Sequence, residues 1–113
     1  MLRIHHVNLG VTPDAIEDEV AWLTHVLGLS RLESPERFPN ARWFTDEHGV
    51  EVHLSEDPDH RPAARAHVAI ELGDALPAVE ARLPEHDGIA EGFGGRVVFA
   101  HDPAGNRWEL RGA

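Results

Sequence analysis

The sequence lacks cysteine and tyrosine, and it contains no long hydrophobic run. Without cysteine the chain can form no disulfide, no thiolate zinc site and no thiol nucleophile, which fits a reducing cytoplasm. No apolar stretch approaches the roughly 18 residues that a membrane span needs, and no secretory signal pattern is visible. These absences predict a cytoplasmic protein that has no membrane partner.

Positive charge is also scarce, because 10 Lys and Arg stand against 20 Asp and Glu and give a formal net charge of −10. Cationic side chains supply most of the affinity for nucleic-acid backbones, so this balance argues against a nucleic-acid partner. With 113 residues, of which 42% are hydrophobic, the chain can form one packed domain over residues 1–113. Histidine, in contrast, is abundant at nine residues, and its positions are the main clue to function.

Hydrophobic periodicity predicts a β-α-β-β-β order in the first half of the chain. The first predicted strand is Leu2–Val11, in which Val7, Leu9 and Val11 alternate with polar residues as in a half-buried strand. An apolar stripe at helical spacing then runs over Ala15–Leu27. Thr12 is the expected N-cap of this helix, and Gly28 is its expected stop. Three shorter strands follow, over Leu29–Glu33, Asn40–Thr45 and Val50–Leu54.

The same order repeats after a Pro-rich and charged linker at residues 55–64. The second half shows a strand, a helix and three strands, over Ala66–Leu72, Ala75–Leu83, Gly88–Phe93, Arg96–Ala100 and Asn106–Arg111. The halves, residues 1–54 and 65–113, are each too small to bury a core alone, so we expect them to pack together. The predicted fold class is α+β, with two βαβββ modules in tandem.

Superposing the two halves singles out four residues on the polar faces of their strands: His6, His53, His67 and Glu109. Three imidazoles and one carboxylate are suitable ligands for a divalent transition metal such as nickel, zinc, manganese, iron or cobalt. Taken singly, each has a structural interpretation, as a hydrogen-bonded strand histidine or as part of a surface ion-pair stripe around Glu109. Alternation predicts that His5 faces away from His6. Trp22, Trp43 and Trp108 are assigned to the core.

Several motifs then resemble the vicinal oxygen chelate superfamily over nearly the whole chain: HVNL at 6–9, LGL at 27–29, EVHL at 51–54, HVA at 67–69 and DPAGNRWEL at 102–110. This superfamily includes glyoxalase I, fosfomycin resistance proteins, extradiol dioxygenases, methylmalonyl-CoA epimerase and bleomycin resistance protein. The resemblance implies mixed sheets that cup a cavity, helices on the outer face, and a homodimer.

The resemblance also implies a divalent metal held by one residue on the first and one on the last strand of each module. Those positions are again His6, His53, His67 and Glu109, and Glu109 doubles as a candidate proton carrier. Four protein ligands leave two open positions in an octahedral site, which favours an octahedral metal over structural zinc. The candidate contacts to a small-molecule substrate are Asn8, Arg42, His101 and Arg107.

The chemistry implied is that of an isomerase, lyase or epimerase, in which the metal acts as a Lewis acid on two neighbouring substrate oxygens. Extradiol ring cleavage is disfavoured, because it relies on a tyrosine that this chain lacks and uses three ligands where four candidates are present. The main alternative is a metal-free protein of the bleomycin-resistance type that binds a small molecule such as an antibiotic. A third alternative is a scaffold with a vestigial site.

Overall fold

The computed structural model describes residues 1–91 and 94–113, and it divides the chain into two compact units, residues 1–61 and 62–113. The first unit has the predicted β-α-β-β-β order. Its elements are β1 (His6–Val11), a 3₁₀ turn (Pro13–Ala15), α1 (Ile16–Ala21), a π-helical turn (Trp22–Val26), β2 (Ser30–Leu32), β3 (Ala41–Thr45) and β4 (Glu51–Glu56).

The second unit repeats this order and confirms the predicted duplication. Its elements are β5 (His67–Gly73), α2 (Leu76–Arg82), β6 (Gly88–Glu91), β7 (Arg96–His101) and β8 (Arg107–Gly112). The last two residues of the strand predicted over Gly88–Phe93 lie outside the described residues. None of the helices within the described ranges has the length and hydropathy needed to cross a bilayer.

Each unit contains one four-stranded mixed sheet, and the two sheets have equivalent strand orders, β1-β4-β3-β2 and β5-β8-β7-β6. The first and last strands of each unit are parallel neighbours, and the other pairs are antiparallel. The registers are also equivalent, because His6 lies opposite Glu51 and His67 lies opposite Arg107. His53 and Glu109 therefore each lie two residues beyond the partner of the first-strand histidine, as the superposition of the halves predicts.

The first helical segment differs in detail from the prediction of one helix over Ala15–Leu27. The Thr12 carbonyl, rather than its side chain, caps the segment by accepting the Ala15 N–H at 3.0 Å. Near the end the backbone widens into the π-helical turn, and the Thr24 hydroxyl donates to the Val20 carbonyl at 2.8 Å. Gly28 then ends the segment with a φ of 79°, which glycine adopts without strain.

The core of each unit consists of apolar side chains from its sheet and its helix. In the first unit Val11, Leu23, Phe44 and Leu54 have no exposed surface, and in the second unit the same is true of Val98, Ala100, Trp108 and Leu110. Because side chains alternate along a strand, burying these residues on one face directs their neighbours to the other face. In each sheet, that other face carries two of the four predicted metal ligands.

The turn from β7 to β8 is held by a buried aspartate. The Asp102 carboxylate, with 4% residual exposure, accepts the Trp108 indole N–H at 2.9 Å and the Asn106 backbone N–H at 2.8 Å. Gly105 completes the turn with a φ of 85° and donates its N–H to the Asp102 carbonyl. The DPAGNRWEL motif therefore fixes the start of β8, the strand that carries Glu109.

Candidate metal centre and ligand pocket

In the second unit the structure brings His67 and Glu109 together across the parallel strands β5 and β8. The His67 Nε2 atom lies 3.2 Å from Glu109 Oε1, while its Nδ1 atom lies 2.9 Å from the Arg65 carbonyl oxygen. A carbonyl can only accept, so Nδ1 carries a proton and donates it. In a neutral imidazole Nε2 then presents a lone pair towards a carboxylate oxygen, and these two atoms can share a cation.

Arg111 holds the other oxygen of the same carboxylate. Its guanidinium donates to Glu109 Oε2 at 2.6 Å, and both side chains lie on the same face of β8 because they are two residues apart. The hydrogen bond from Arg111 lowers the pKa of the Glu109 carboxyl. Glu109 is therefore held in its ionised form, the form that ligates metals.

In the first unit the predicted pair, His6 and His53, is in ring contact. Their imidazoles stack with centroids 4.0 Å apart and planes 12° apart. The other face of His53 is covered by the Trp43 indole, at 4.2 Å and 8°. His53 is therefore 8% exposed although it lies on the polar face of β4. The assignment of Trp43 to the core was wrong: Trp43 is half-buried and stacks on His53, whereas Trp22 and Trp108 are buried as predicted.

Two further residues join this pair, Glu51 and His5. The His53 Nε2 atom lies 2.8 Å from Glu51 Oε1, and this hydrogen bond lowers the pKa of the Glu51 carboxyl. When His53 donates through Nε2, its Nδ1 atom keeps the lone pair that a metal needs. His5 precedes β1, and its Nδ1 atom lies 2.9 Å from that of His6. The prediction that His5 faces away from His6 was wrong, because His5 does not share the strand geometry of β1.

Each unit thus brings together one of the two predicted ligand pairs. Within either unit, the described residues contain no group of three or more His, Asp and Glu side chains arranged to hold a metal. The donor chemistry of the pairs nevertheless fits a divalent transition metal, since both include an imidazole whose second nitrogen is hydrogen-bonded to an oxygen. The four-ligand site therefore remains a prediction.

The predicted substrate contacts lie in different places. Asn8 is on the same face of the first sheet as His53 and accepts a hydrogen bond from Ser55 Oγ at 2.9 Å. His101 and Arg107 lie opposite each other on the face that carries Glu109. His101 is paired with Asp87, and the Arg107 guanidinium lies 4.6 Å from the centroid of the Phe99 ring.

Arg42 lies on the other face of its sheet, because its register partner is the buried Leu54. Its guanidinium donates to the Pro39 and Ala41 carbonyls at 3.3 and 3.1 Å and lies 3.7 Å from the Glu56 carboxylate. Arg42 thus supports the loop that leads into β3. Its role as a substrate contact remains a prediction.

A cavity of about 360 Å³ opens in the first unit beside the stacked rings. It lies between the polar face of the sheet and the loop that precedes β3. The lining residues are Asn8, Arg37, Phe38, Pro39, Asn40, Ala41, Trp43 and Ser55. The sequence predicted Asn8 as a contact but assigned Trp43 to the core and singled out neither Arg37 nor Phe38, which lie between two predicted strands.

The duplicated mixed sheets, with the predicted ligands at equivalent positions on their parallel strands, define a class of protein built from two βαβββ modules. The sequence model of the Glyoxalase/Bleomycin resistance protein/Dioxygenase superfamily matches residues 3–110. The chain belongs to this superfamily, which confirms the resemblance seen in its motifs. No curated protein sequence shows significant similarity to the chain.

Solved structures agree with this assignment at the level of the fold. A glyoxalase/dioxygenase from Nostoc punctiforme is 23% identical, with 97% of this chain and 90% of that chain covered and a TM-score of 0.71. The fosfomycin resistance protein FosX from Listeria monocytogenes is 15% identical, with coverages of 100% and 94% and a TM-score of 0.80. A lactoylglutathione lyase from Agrobacterium tumefaciens is 16% identical, with coverages of 100% and 95% and a TM-score of 0.71.

Proposed function

We propose that the protein is a divalent-metal-dependent enzyme of the isomerase, lyase or epimerase type, acting on a small substrate through two neighbouring oxygens. The observation that carries this proposal is the pairing of His67 with Glu109, in which Nδ1 is anchored on a backbone carbonyl and Nε2 faces a carboxylate oxygen at 3.2 Å. Anchoring the second nitrogen on an oxygen is typical of metal-binding histidines.

His6 and His53 would complete the ligand set, with Glu51 orienting His53. The metal would supply a Lewis acid that stabilises negative charge on the substrate oxygens. Nickel, zinc, manganese, iron and cobalt are all compatible with imidazole and carboxylate ligands. A variant of FosX has been crystallised with Mn(II) and 1S,2S-dihydroxypropylphosphonic acid, a molecule with neighbouring oxygens, which supports metal use in this fold.

Glu109 has a second role in this proposal, as the proton carrier. Arg111 covers Oε2, so Oε1, once released from the metal, would be the oxygen that accepts a proton from the substrate and returns it. Arg111 also lowers the pKa of the Glu109 carboxyl, which keeps Glu109 ready to accept rather than to donate at neutral pH. Asn8, His101 and Arg107 lie on the sheet faces that carry the predicted metal ligands, and they would bind the polar groups of the substrate.

The proposal is tested by the metal content of protein purified without a His tag, measured for the wild type, His67→Ala and Glu109→Ala. We expect about one divalent ion per site in the wild type and loss of the ion in both variants. His25→Ala and Glu17→Ala are matched controls, because both residues are exposed on the first helical segment, and these variants should keep the metal. The proposal fails if the wild type takes up none of nickel, manganese, iron or zinc.

A second function is favoured by the cavity, whose lining includes none of the four predicted ligands. In this alternative the protein binds a small molecule, such as an antibiotic, without a metal. The same metal analysis separates the two functions, because a binding protein of this kind would take up none of the divalent ions.

The resemblance and the composition lead us to infer, in addition, that the protein is a cytoplasmic homodimer. Light scattering on purified protein tests the dimer, and a mass of one chain would contradict it.

A further inference from the structure

We infer that the cavity of the first unit binds small aromatic carboxylates. Its assignment to the substrate of the enzyme rests on the proposed function, whereas the binding chemistry rests on the residues of the first unit alone. The cavity has an aromatic wall at the stacked rings, a cation at its rim, and hydrogen-bond donors on its floor.

The stacked wall favours a planar ring. His6, His53 and Trp43 form a three-ring stack with centroid spacings of 4.0 and 4.2 Å. His53 covers one face of the Trp43 indole, so the other face or the edge of the indole lines the cavity. Phe38, which is 47% exposed, contributes a second aromatic surface to the same cavity. Two aromatic surfaces in one cavity provide stacking or edge-to-face contacts for an aromatic ligand.

The cation at the rim selects for a negative charge. The Arg37 guanidinium lies 5.1 Å from the centroid of the Phe38 ring, and across the parts of the chain that the structure describes it forms no ion pair with a carboxylate. Arg42, in contrast, is engaged by two carbonyls and Glu56. In a protein with a net charge of −10, a cation left available beside a cavity is a specific attraction for an anion.

The floor of the cavity adds donors. Ser55 Oγ donates to Asn8 Oδ1, so the Asn8 amide keeps its N–H₂ group for a ligand. The loop over the cavity is held by backbone hydrogen bonds from Phe38 to Pro35 and from Ala41 to Phe38, at 2.9 and 3.1 Å. The volume of 360 Å³ exceeds the about 150 Å³ that suffices for benzene, so a substituted ring fits.

The test is a titration of metal-free wild-type protein, dialysed against a chelator, with phenylacetate, phenylacetamide and cyclohexylacetate. Tryptophan fluorescence reports on the cavity, because Trp22 and Trp108 are buried and Trp43 lines it. We expect saturable quenching, with phenylacetate bound about threefold to tenfold more tightly than either of the other two probes. Equal affinity for phenylacetate and phenylacetamide, or the absence of saturation, would overturn the inference.

Variants assign the effect to residues. Arg37→Gln should reduce the affinity for phenylacetate to that for phenylacetamide and leave phenylacetamide binding unchanged, which also shows that the cavity is still folded. Arg31→Gln is the matched control, because Arg31 lies over Phe44 at 5.2 Å, as Arg37 lies over Phe38, but does not line the cavity. An Arg37→Gln protein that binds phenylacetate as tightly as the wild type would refute the role of the cation.

The failure of this inference is distinguishable from that of the proposed function. The titration uses protein without metal, so its result does not depend on whether the protein takes up a divalent ion. A protein that binds metal but not the probes refutes only the cavity assignment. A protein that binds the probes but no metal refutes only the proposed enzyme.

Discussion

Replacing Asp102 by alanine should destabilise the protein far more than the loss of one surface turn residue would. The carboxylate has 4% exposure and accepts two hydrogen bonds, from the Trp108 indole at 2.9 Å and the Asn106 amide at 2.8 Å. Depriving a buried donor of its acceptor costs about 1–3 kcal/mol, and a hydrogen bond to a charged group contributes about 1.5–3 kcal/mol. We therefore expect Asp102→Ala to lower the free energy of unfolding by about 3–5 kcal/mol, and the midpoint of thermal unfolding by about 10–20 °C.

The equivalent turn of the first unit provides the control. Asp46 accepts the His48 and Val50 backbone N–H groups at 2.8 and 3.0 Å, but within residues 1–91 and 94–113 it accepts no bond from a buried side chain. Asp46→Ala should therefore cost only about 1 kcal/mol. In a double-mutant cycle measured by urea unfolding, Asp102→Ala and Trp108→Phe should couple by about 1–2 kcal/mol. Strictly additive effects, or similar losses for Asp102→Ala and Asp46→Ala, would refute the reasoning.

Two further predictions concern packing and charge. Gly10→Ala should lower the free energy of unfolding by about 1–3 kcal/mol, because a Cβ at Gly10 would collide with the His60 imidazole. Measured by urea unfolding, this loss should be smaller in a His60→Ala background. An unchanged loss would contradict the contact. Hydrogen bonds from Arg96, at 2.8 and 3.0 Å, lower the pKa of Glu80 below its ordinary value of 4.5, so the stabilisation is present above pH 4.5 and lost as the pH falls through the folded-state pKa. Thermal unfolding of the wild type and Glu80→Gln should therefore converge as the pH falls below 4.5, and a constant difference would argue against it.

Much of the fold could be predicted from the sequence, because apolar periodicity and turn residues mark each element. The prediction that β1 starts at Leu2 was wrong, because the strand begins at His6, and the reason is physical. Leu2 and Ile4 are apolar but fall in phase with the polar residues of the strand, such as His6, and they are 88% and 69% exposed. The parallel partner of β1 is β4, which begins only at Glu51, and the Glu51 N–H donates to the His5 carbonyl. No strand therefore lies beside Leu2 and Ile4 in the described part of the sheet. Alternation shows which residues could form a strand, but not where a partner is available to pair with it.

The pairing of the candidate ligands was also predictable, because the repeat places them at equivalent registers. The sequence did contain a signal for their partners, since Glu51 and Arg111 lie two positions from His53 and Glu109 and so share their faces. Whether such neighbours form hydrogen bonds depends on rotamers that a pattern does not determine. In the DPAGNRWEL motif, which points to the family, Asp102 accepts a hydrogen bond from the buried Trp108 indole and is not one of the predicted metal ligands.

The sandwich of His53 between His6 and Trp43 has a consequence for the energetics of ligand capture. A free imidazole loses rotamer entropy when a metal fixes it, and this loss weakens binding. In this protein the two stacks and the Glu51 hydrogen bond already restrict the His53 ring in the absence of any ligand. The first unit therefore meets that entropic cost during folding, so metal capture there requires little further ordering of the His53 side chain.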